Sequence, residues 1–354
     1  MPVSIKDVAR HAGVSSATVS RVLAEKPHVR PEVRRRVLEA VESLGYQPNR
    51  VARSLRVKRS KIIGLVISDI QNPFFTALAR AVEDVAYAHG YAVFLCNADE
   101  DLDKERLYLE LMRAEAVAGV VMSPTHETDN ACAALVAAGV PIVAIDRRAR
   151  NVEIDTVVAD NVGAAFEAVS HLIADGYSRI GAILPSPTIT TGRERHQGFV
   201  RALEAHGLPL LPELVRTGLP IESVGYGLAR ELLESNKPPE ALFTGNNVLT
   251  VGALKAIGEK GLSVPGDIGL AAFDDLDWMP LLEPKLTVVI QPTYEIGCTA
   301  ATLLLQRLEN PARAPQEVVL SPALRIGRSC KDHPASRAQQ RQEVRTRPRA
   351  VHRP

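Results

Sequence analysis

From residue 61 onward the chain alternates short, almost wholly apolar runs with amphipathic stretches, and that alternation limits the folds open to it. The runs are Ile62–Ile67, Tyr91–Leu95, Ala118–Met122, Pro141–Ile145, Thr156–Val158, Arg179–Leu184, Ala241–Thr244, Ile268–Phe273 and Leu286–Ile290. Each is strand-sized and nearly all apolar, as strands of a parallel sheet covered on both faces must be. The stretches Phe75–His89, Lys104–Ala114, Gly163–Asp175 and Val248–Lys260 between them are amphipathic. The pattern predicts an α/β doubly wound architecture, in which ligands collect at the carboxyl ends of the strands.

Those ends are rich in polar residues. Ile67 leads to Ser68-Asp69-Ile70-Gln71-Asn72-Pro73-Phe74-Phe75, Ile145 to Asp146-Arg147, and Val158 to Ala159-Asp160-Asn161. Leu184 is followed after a loop by Thr191-Gly192-Arg193-Glu194-Arg195, Thr244 by Gly245-Asn246-Asn247, and Phe273 by Asp274-Asp275. Acids, amides and arginines beside a phenylalanine pair suit a sugar-like ligand, whose hydroxyls pair with planar bidentate groups while its apolar face stacks on a ring. Any one Asp or Asn after a strand is more often a helix cap or a turn. It is the recurrence at several ends that points to a site.

The first 46 residues follow a different grammar. Ser4 with Asp7 three residues on has the pattern of a capping box, and Ile5, Val8, Ala9 and Ala12 share one helical face. Gly13 supplies a tight exit, and Ser15 caps a second helix whose Val19, Val22 and Leu23 turn inward. Ser16, Ala17, Ser20 and Arg21 are left pointing out. A third helix opens at Pro31, buries Val33, Val37, Val41 and Leu44, stops at Gly45, and exposes Arg34, Arg35 and Arg36. A slim, hydroxyl-bearing helix start with an arginine is what a helix needs to approach base edges in a DNA major groove.

Charge supports that division of labour. The whole chain of 354 residues carries a formal net charge of only +1, yet residues 1–61 hold 14 Lys/Arg against 5 Asp/Glu and residues 62–332 sum to −13. A basic head on an acidic body confines polyanion contact to the head. The segment 47–60 surrounds Val51, Ala52 and Leu55 with Asn49, Arg50, Arg53, Arg56 and Lys58. It reads equally as a flexible basic linker or as a short helix that folds against its copy in a second subunit and wedges Leu55 into the minor groove. The last residues, 331–354, are arginine-rich without apolar periodicity and read as a disordered tail. Four scattered cysteines without a C-x-x-C pair suit buried thiols in a reducing compartment rather than disulfides or a metal site. No leader-like or membrane-length apolar segment is present, so a cytoplasmic protein is expected.

The segment Lys6-Asp7-Val8-Ala9, Gly13-Val14-Ser15, Thr18-Val19-Ser20-Arg21-Val22, Tyr46-Gln47-Pro48-Asn49 and Ala52-Arg53-Ser54-Leu55 resembles the headpiece and hinge helix of the LacI/GalR family of bacterial repressors. The similarity continues to about residue 330. It implies a headpiece over 1–46, a hinge over 47–60, and over 61–330 two Rossmann-like lobes of periplasmic-binding-protein type joined by three crossovers. Base reading by Ser16, Ala17 and Arg21 follows by position. So do phosphate contacts from Thr18, Ser20, His28 and Asn49, and minor-groove insertion by Leu55. Ala17 can offer only a methyl contact, so readout there leans on its neighbours. Effector contacts are implied for Phe74 or Phe75, Arg147, Arg195, Asn247 and Asp274, with Asp160 and Gln291 nearby.

The expectation is thus a homodimeric repressor of operator DNA controlled by a small molecule, a sugar or sugar acid by preference, with no cofactor and no metal. A purine would call for a larger aromatic platform. An enzyme on the same sheet is the rival, but the chain has no G-x-G-x-x-G after a strand, no P-loop, no G-x-S-x-G and no H-E-x-x-H.

Overall fold

The computed structural model describes residues 3–23, 27, 29–46, 60–128 and 131–330. The chain divides into two compact units at Ser60/Lys61. The hinge over 47–59 and the tail over 331–354 lie outside the described residues.

The first unit holds three helices, α1 (Ile5–Ala12), α2 (Ser16–Leu23) and α3 (Pro31–Ser43). Asp7 accepts hydrogen bonds from the Ser4 backbone N at 3.0 Å and the Ser4 hydroxyl at 2.6 Å, which ties the first turn of α1 to its cap. Gly13 ends α1 in the left-handed region at φ +61°, and Ser15 Oγ accepts from Thr18 N at 3.2 Å to start α2. Val8, Ala9, Ala12, Val19, Val22, Val37 and Ala40 form the core. Two expectations need correcting. Val33, Val41 and Leu44 are only half-buried and Ala40 takes an inward place, because the face of α3 turned to the core passes through 37 and 40. Arg36 is not a free surface cation: its guanidinium donates to the carbonyls of Ala12 and Gly13, satisfying acceptors orphaned at the end of α1.

The second unit contains two six-stranded sheets. In the first, β1 (Ile62–Ile67), β2 (Ala92–Asn97), β3 (Gly119–Met122), β4 (Ile142–Ile145) and β5 (Asp155–Ala159) are parallel. In the second, β6 (Ile180–Pro185), β7 (Val215–Gly218), β8 (Ala241–Thr244), β9 (Gly269–Phe273) and β10 (Thr287–Ile290) are parallel. Two late strands finish the sheets: β11 (Glu317–Leu320) pairs parallel with β5, and β12 (Ala323–Arg325) pairs antiparallel with β10. The strand orders are β11-β5-β4-β3-β1-β2 and β12-β10-β9-β8-β6-β7. The chain therefore passes between lobes three times, after β5, after β10 and between β11 and β12, as the resemblance implied. Strands β7, β11 and β12 escaped the apolar-run reading because they are short and their residues are half-buried or exposed.

Helices cover both faces of each sheet, which is why the central strands are buried and mostly apolar. In lobe one, α4 (Pro73–Ala88) and α11 (Thr293–Glu309) pack on one face through Leu78, Val82, Ile296, Ala300 and Leu304. The other face is covered by α5 (Leu102–Ala114) and α6 (Ala131–Ala137), which bury Leu109, Met112, Cys132 and Leu135. In lobe two, α7 (Asn161–Ala174) and α8 (Thr190–Ala205) cover one face around Phe199, Phe243 and Phe273. The opposite face carries α9 (Glu222–Leu233) and α10 (Asn247–Glu259). These two helices approach closely: a Cβ on Gly252 would lie 2.3 Å from the Glu222 carbonyl oxygen. Gly225-Tyr226-Gly227 sits inside α9, so it is no phosphate loop. The four cysteines are free thiols; Cys96, Cys132 and Cys330 are buried, but Cys298 is partly exposed, contrary to the expectation for all four. Among the described residues no helix is long and apolar enough to cross a membrane.

Candidate functional site

In the first unit α2 offers one outward face. Ala17 and Arg21 are exposed, while Ser16, Thr18 and Ser20 are half-buried beside the core residues Val19 and Val22. The Thr18 hydroxyl shares a 3.0 Å hydrogen bond with the Ser15 hydroxyl. The helix start is thus slim and hydroxylated, with one exposed cation, Arg21, a turn further on. His28, Asn49 and Leu55 lie outside the described residues.

In the second unit a cavity of about 350 Å³ opens between the lobes. Its walls come from the carboxyl ends of strands in both sheets: Asp69 to Phe75 after β1, Asp99 and Glu100 after β2, and Asp146 and Arg147 after β4. Lobe two adds Ile189 and Thr191 after β6, Leu219 to Ile221 after β7, Asn246 after β8, Asp274 after β9 and Gln291 after β10, with Arg195 from α8. The volume fits a small ligand, at the low end of ordinary ligand pockets.

The polar groups are held in fixed positions. Arg195 is 2% exposed and donates from Nε to Asn161 Oδ1 at 2.9 Å and from Nη1 to the Gly245 carbonyl at 2.6 Å and Asp274 Oδ2 at 3.3 Å. Its guanidinium carbon lies 3.7 Å from the Phe273 ring centroid. Gln291 Nε2 donates to the other Asp274 oxygen at 2.5 Å. Across the cavity Arg147 grips Glu100 with both terminal nitrogens, at 2.7 and 2.5 Å, and its Nε stands 3.5 Å from Asp146. Phe74 and Phe75 meet edge to face with centroids 5.1 Å apart, so the cavity has ring surface as well as charge.

Backbone conformation marks the same place. Asp99, Glu100, Asp146 and Asp274 have φ of +52°, +55°, +64° and +70°. Ala116 is the other positive-φ non-glycine among the described residues, and it lies elsewhere. Conformations of this kind persist where surrounding contacts over-determine them, as the Arg147 fork and the Arg195–Gln291 pair do here. Burial pushes the Asp146 carboxyl up to about 6, against the pull of Arg147 and Arg195 and with the help of Asp274 and Glu100.

The lobes also touch directly beside the cavity. Asn72 Oδ1 caps α4 by accepting from Phe74 N at 3.0 Å and accepts from Asn247 Nδ2 of the opposite lobe at 2.8 Å. Glu127, buried, accepts from Arg193 at 2.8 Å and from the Thr190 hydroxyl. Burial alone acts to raise the Glu127 pKa; Arg193, Thr190 and Arg150 outweigh it and hold the carboxyl below its ordinary value.

Of the effector residues expected from sequence, Phe74, Phe75, Arg147, Arg195, Asp274 and Gln291 line this cavity together. Asn247 is fully buried behind the wall, where it joins the lobes through Asn72, while its neighbour Asn246 faces the cavity. Asp160 is exposed and caps α7 by accepting from Gly163 N at 2.8 Å, the common fate of an Asp after a strand. Sequence reasoning did not single out Asp99, Glu100 or the apolar rim Leu219-Pro220-Ile221. The rim follows β7, whose Val-Arg-Thr-Gly sequence carries no apolar run; Asp99 and Glu100 follow a strand that was recognised, so its carboxyl end could have exposed them.

Comparison with known proteins agrees with this geometry. Residues 4–49 match the family described as bacterial regulatory proteins, lacI family, and residues 60–330 match periplasmic binding proteins and sugar binding domain of LacI family. The chain is similar to a ribose operon repressor of Halalkalibacterium halodurans, 39% identical over 307 residues that cover 87% of this chain and 91% of that protein. Its structure is similar to the lac repressor dimer bound to operator and the anti-inducer ONPF, with a TM-score of 0.81 and 26% identity over 94% of this chain and all of that one. A LacI family regulator from Enterococcus faecium with bound ribose matches 76% of this chain and 98% of its own at a TM-score of 0.69 and 28% identity. A helix-turn-helix head, two lobes crossed three times by the chain and a polar cavity between them place this protein in the LacI family of DNA-binding transcriptional regulators, whose repressors answer to small-molecule effectors.

Proposed function

We propose that this chain is a homodimeric, cytoplasmic, non-enzymatic repressor whose grip on operator DNA is set by a sugar bound between its lobes. The observation that carries the sugar reading is the cavity itself, which Phe74 and Phe75 line together with Arg147, Arg195, Asp274 and Gln291. Planar donors and acceptors beside a ring complement a polyhydroxylated ring with one apolar face. The ribose operon repressor among its relatives and the ribose-bound neighbour make D-ribose the first ligand to test.

On this reading Arg195, Asp274 and Gln291 form one donor–acceptor cluster from lobe two, and Arg147 with Asp146 forms the other from lobe one. A ligand bridging both fixes the angle between lobes, and that angle sets how two heads are held on a palindromic site. In the head, Ser16, Ala17 and Arg21 read bases, and Thr18, Ser20, His28 and Asn49 hold phosphates. Leu55 enters the minor groove. Asn247 shapes the effector site from behind through Asn72, whereas Asp160 serves α7 as its cap.

The dimer needs an apolar face, and β2 offers one. Phe94 is 60% and Leu95 41% exposed on this edge strand, with Leu107 and Leu111 of α5 also exposed. An edge strand with exposed apolar side chains is a ready surface for a second copy.

The test is selection of duplexes from a random library by the full-length protein, then fluorescence anisotropy on the enriched sequence with and without D-ribose and other monosaccharides. A palindromic consensus whose binding changes with one sugar supports the reading. Binding that shows no sequence preference, or turnover of a sugar, refutes it.

A further inference from the structure

The charge of the cavity makes a sharper statement than its shape. Five carboxylates line it, Asp69, Asp99, Glu100, Asp146 and Asp274, against two guanidiniums, Arg147 and Arg195. Both guanidiniums arrive with their counter-ions. Arg147 spends both terminal nitrogens on Glu100, and Arg195 is bonded to Asp274, Asn161 and the Gly245 carbonyl. Lys104, outside the lining, pairs with Asp99. Asp69 accepts only from the Gln71 backbone N at 2.8 Å, and Asp146 shares Arg147 with Glu100. Two negative charges therefore remain after every pairing.

We propose that this cavity admits uncharged sugars and refuses their phosphate and carboxylate derivatives. The proposal rests on the sugar reading above and narrows it. A phosphate monoester brings about −1.5 to −2 charges at neutral pH. Inside a cleft of low dielectric it meets like charge, and each guanidinium of the lining already has a carboxylate counter-ion. The Asp146 carboxyl reports how dry this site is: burial is the largest influence on it and raises it to about 6, with Asp274 and Glu100 adding to the rise against the pull of Arg147 and Arg195. Helix dipoles oppose this only in part. The starts of α4 and α10 are capped by the side chains of Asn72 and Asn246, whereas α8 starts without a side-chain cap. One such terminus is worth roughly half a positive charge, less than the two-charge surplus. A hydroxyl group, by contrast, can donate to these carboxylates, so the same acids that repel a phosphate bind a neutral polyol.

A position in a reaction sequence follows. The reaction class that consumes such an effector is phosphoryl transfer. A sugar hydroxyl oxygen takes the terminal phosphoryl group of a nucleoside triphosphate, releasing the diphosphate and the hydroxyl proton. The product is a ligand the cavity refuses, so this regulator reads the sugar before its kinase and falls silent to it afterwards.

The experiment is isothermal titration of the full-length protein with D-ribose and D-ribose 5-phosphate, extended to glucose and xylose with their phosphates. At least one neutral sugar should bind, and its phosphate should bind at least 100-fold more weakly. In Asp69→Asn/Asp99→Asn that ratio should shrink at least tenfold, and Asp69→Asn alone, at a half-buried loop position, should shrink it by a smaller factor. A phosphate that binds as tightly as its parent sugar overturns charge selection while leaving the sugar reading intact. A ratio unchanged in both variants overturns it too, by showing that charge is not the cause. If no sugar binds in either form, the sugar reading itself fails and takes this inference with it.

Discussion

Asp146→Asn separates the electrostatics of the cavity from its packing. Asn has the same shape as Asp and tolerates the left-handed conformation at φ +64° that position 146 adopts. What changes is charge. Burial is the largest influence on the Asp146 carboxyl and raises it; Arg147 and Arg195 lower it, and Asp274 and Glu100 raise it, for a net value of about 6 against an ordinary 3.8. Because the folded-state value is raised, the folded protein binds the proton more tightly than the unfolded chain. The stability this gives is complete below about pH 4 and is lost as pH rises through about 6. A gap of about two units corresponds to about 3 kcal/mol, of which roughly 2 kcal/mol falls between pH 4.5 and 7.5. The Asn side chain has no such dependence. Urea unfolding followed by far-ultraviolet circular dichroism, on wild type and variant at both pH values, gives the difference directly. The variant should gain about 2 kcal/mol on wild type in going from pH 4.5 to 7.5. Ionisation of groups distant from position 146 is common to both proteins and cancels. A stability difference independent of pH would refute the reasoning, because Asp146 would then be ionised throughout.

Arg195→Lys keeps the charge but loses the planar fork that reaches Asn161, the Gly245 carbonyl and Asp274 together. Effector affinity should fall at least tenfold while DNA binding without effector is retained; a variant with unchanged affinity removes Arg195 from the site. Gly13→Ala puts a Cβ 2.6 Å from Arg36 Nη2 at φ +61°, so headpiece unfolding should shift by about 1–2 kcal/mol with the melting of the second unit unmoved. Loss of melting cooperativity in both units instead would show that Gly13 is not a local cap. Leu55→Ala should weaken operator binding far more than binding to random duplex, and equal losses on both would end the wedge assignment.

Much of this architecture was legible because the physics that builds it is local. Continuous apolar runs mark the strands covered on both faces, and the Ser4–Asp7 and Ser15 caps mark two helix starts from local chemistry alone. Strands β7, β11 and β12 were not legible, since edge strands need pair on one side only and their side chains are partly solvated. Missing β7 also hid the Leu219–Ile221 rim. The polar ends of strands foretold the cavity but not the role of each side chain. Asp160 and Asn247 look alike in sequence, yet one caps a helix at the surface and the other links the lobes from within. Arg36 shows the converse. A charge in a basic run looked like part of a DNA-facing surface, but the carbonyls left open at the end of α1 lie within its reach.

The central claim is that the effector cavity and the DNA-binding head are energetically linked, and linkage is reciprocal. The most direct measurement is a closed cycle: the dissociation constant of the effector sugar with and without a saturating specific duplex, and that of the duplex with and without saturating sugar. The two ratios should be equal and differ from one by at least fivefold, in line with the range typical of coupled sites. Ratios of one on both legs, with both ligands bound, would contradict the account, because the cavity and the head would then be independent.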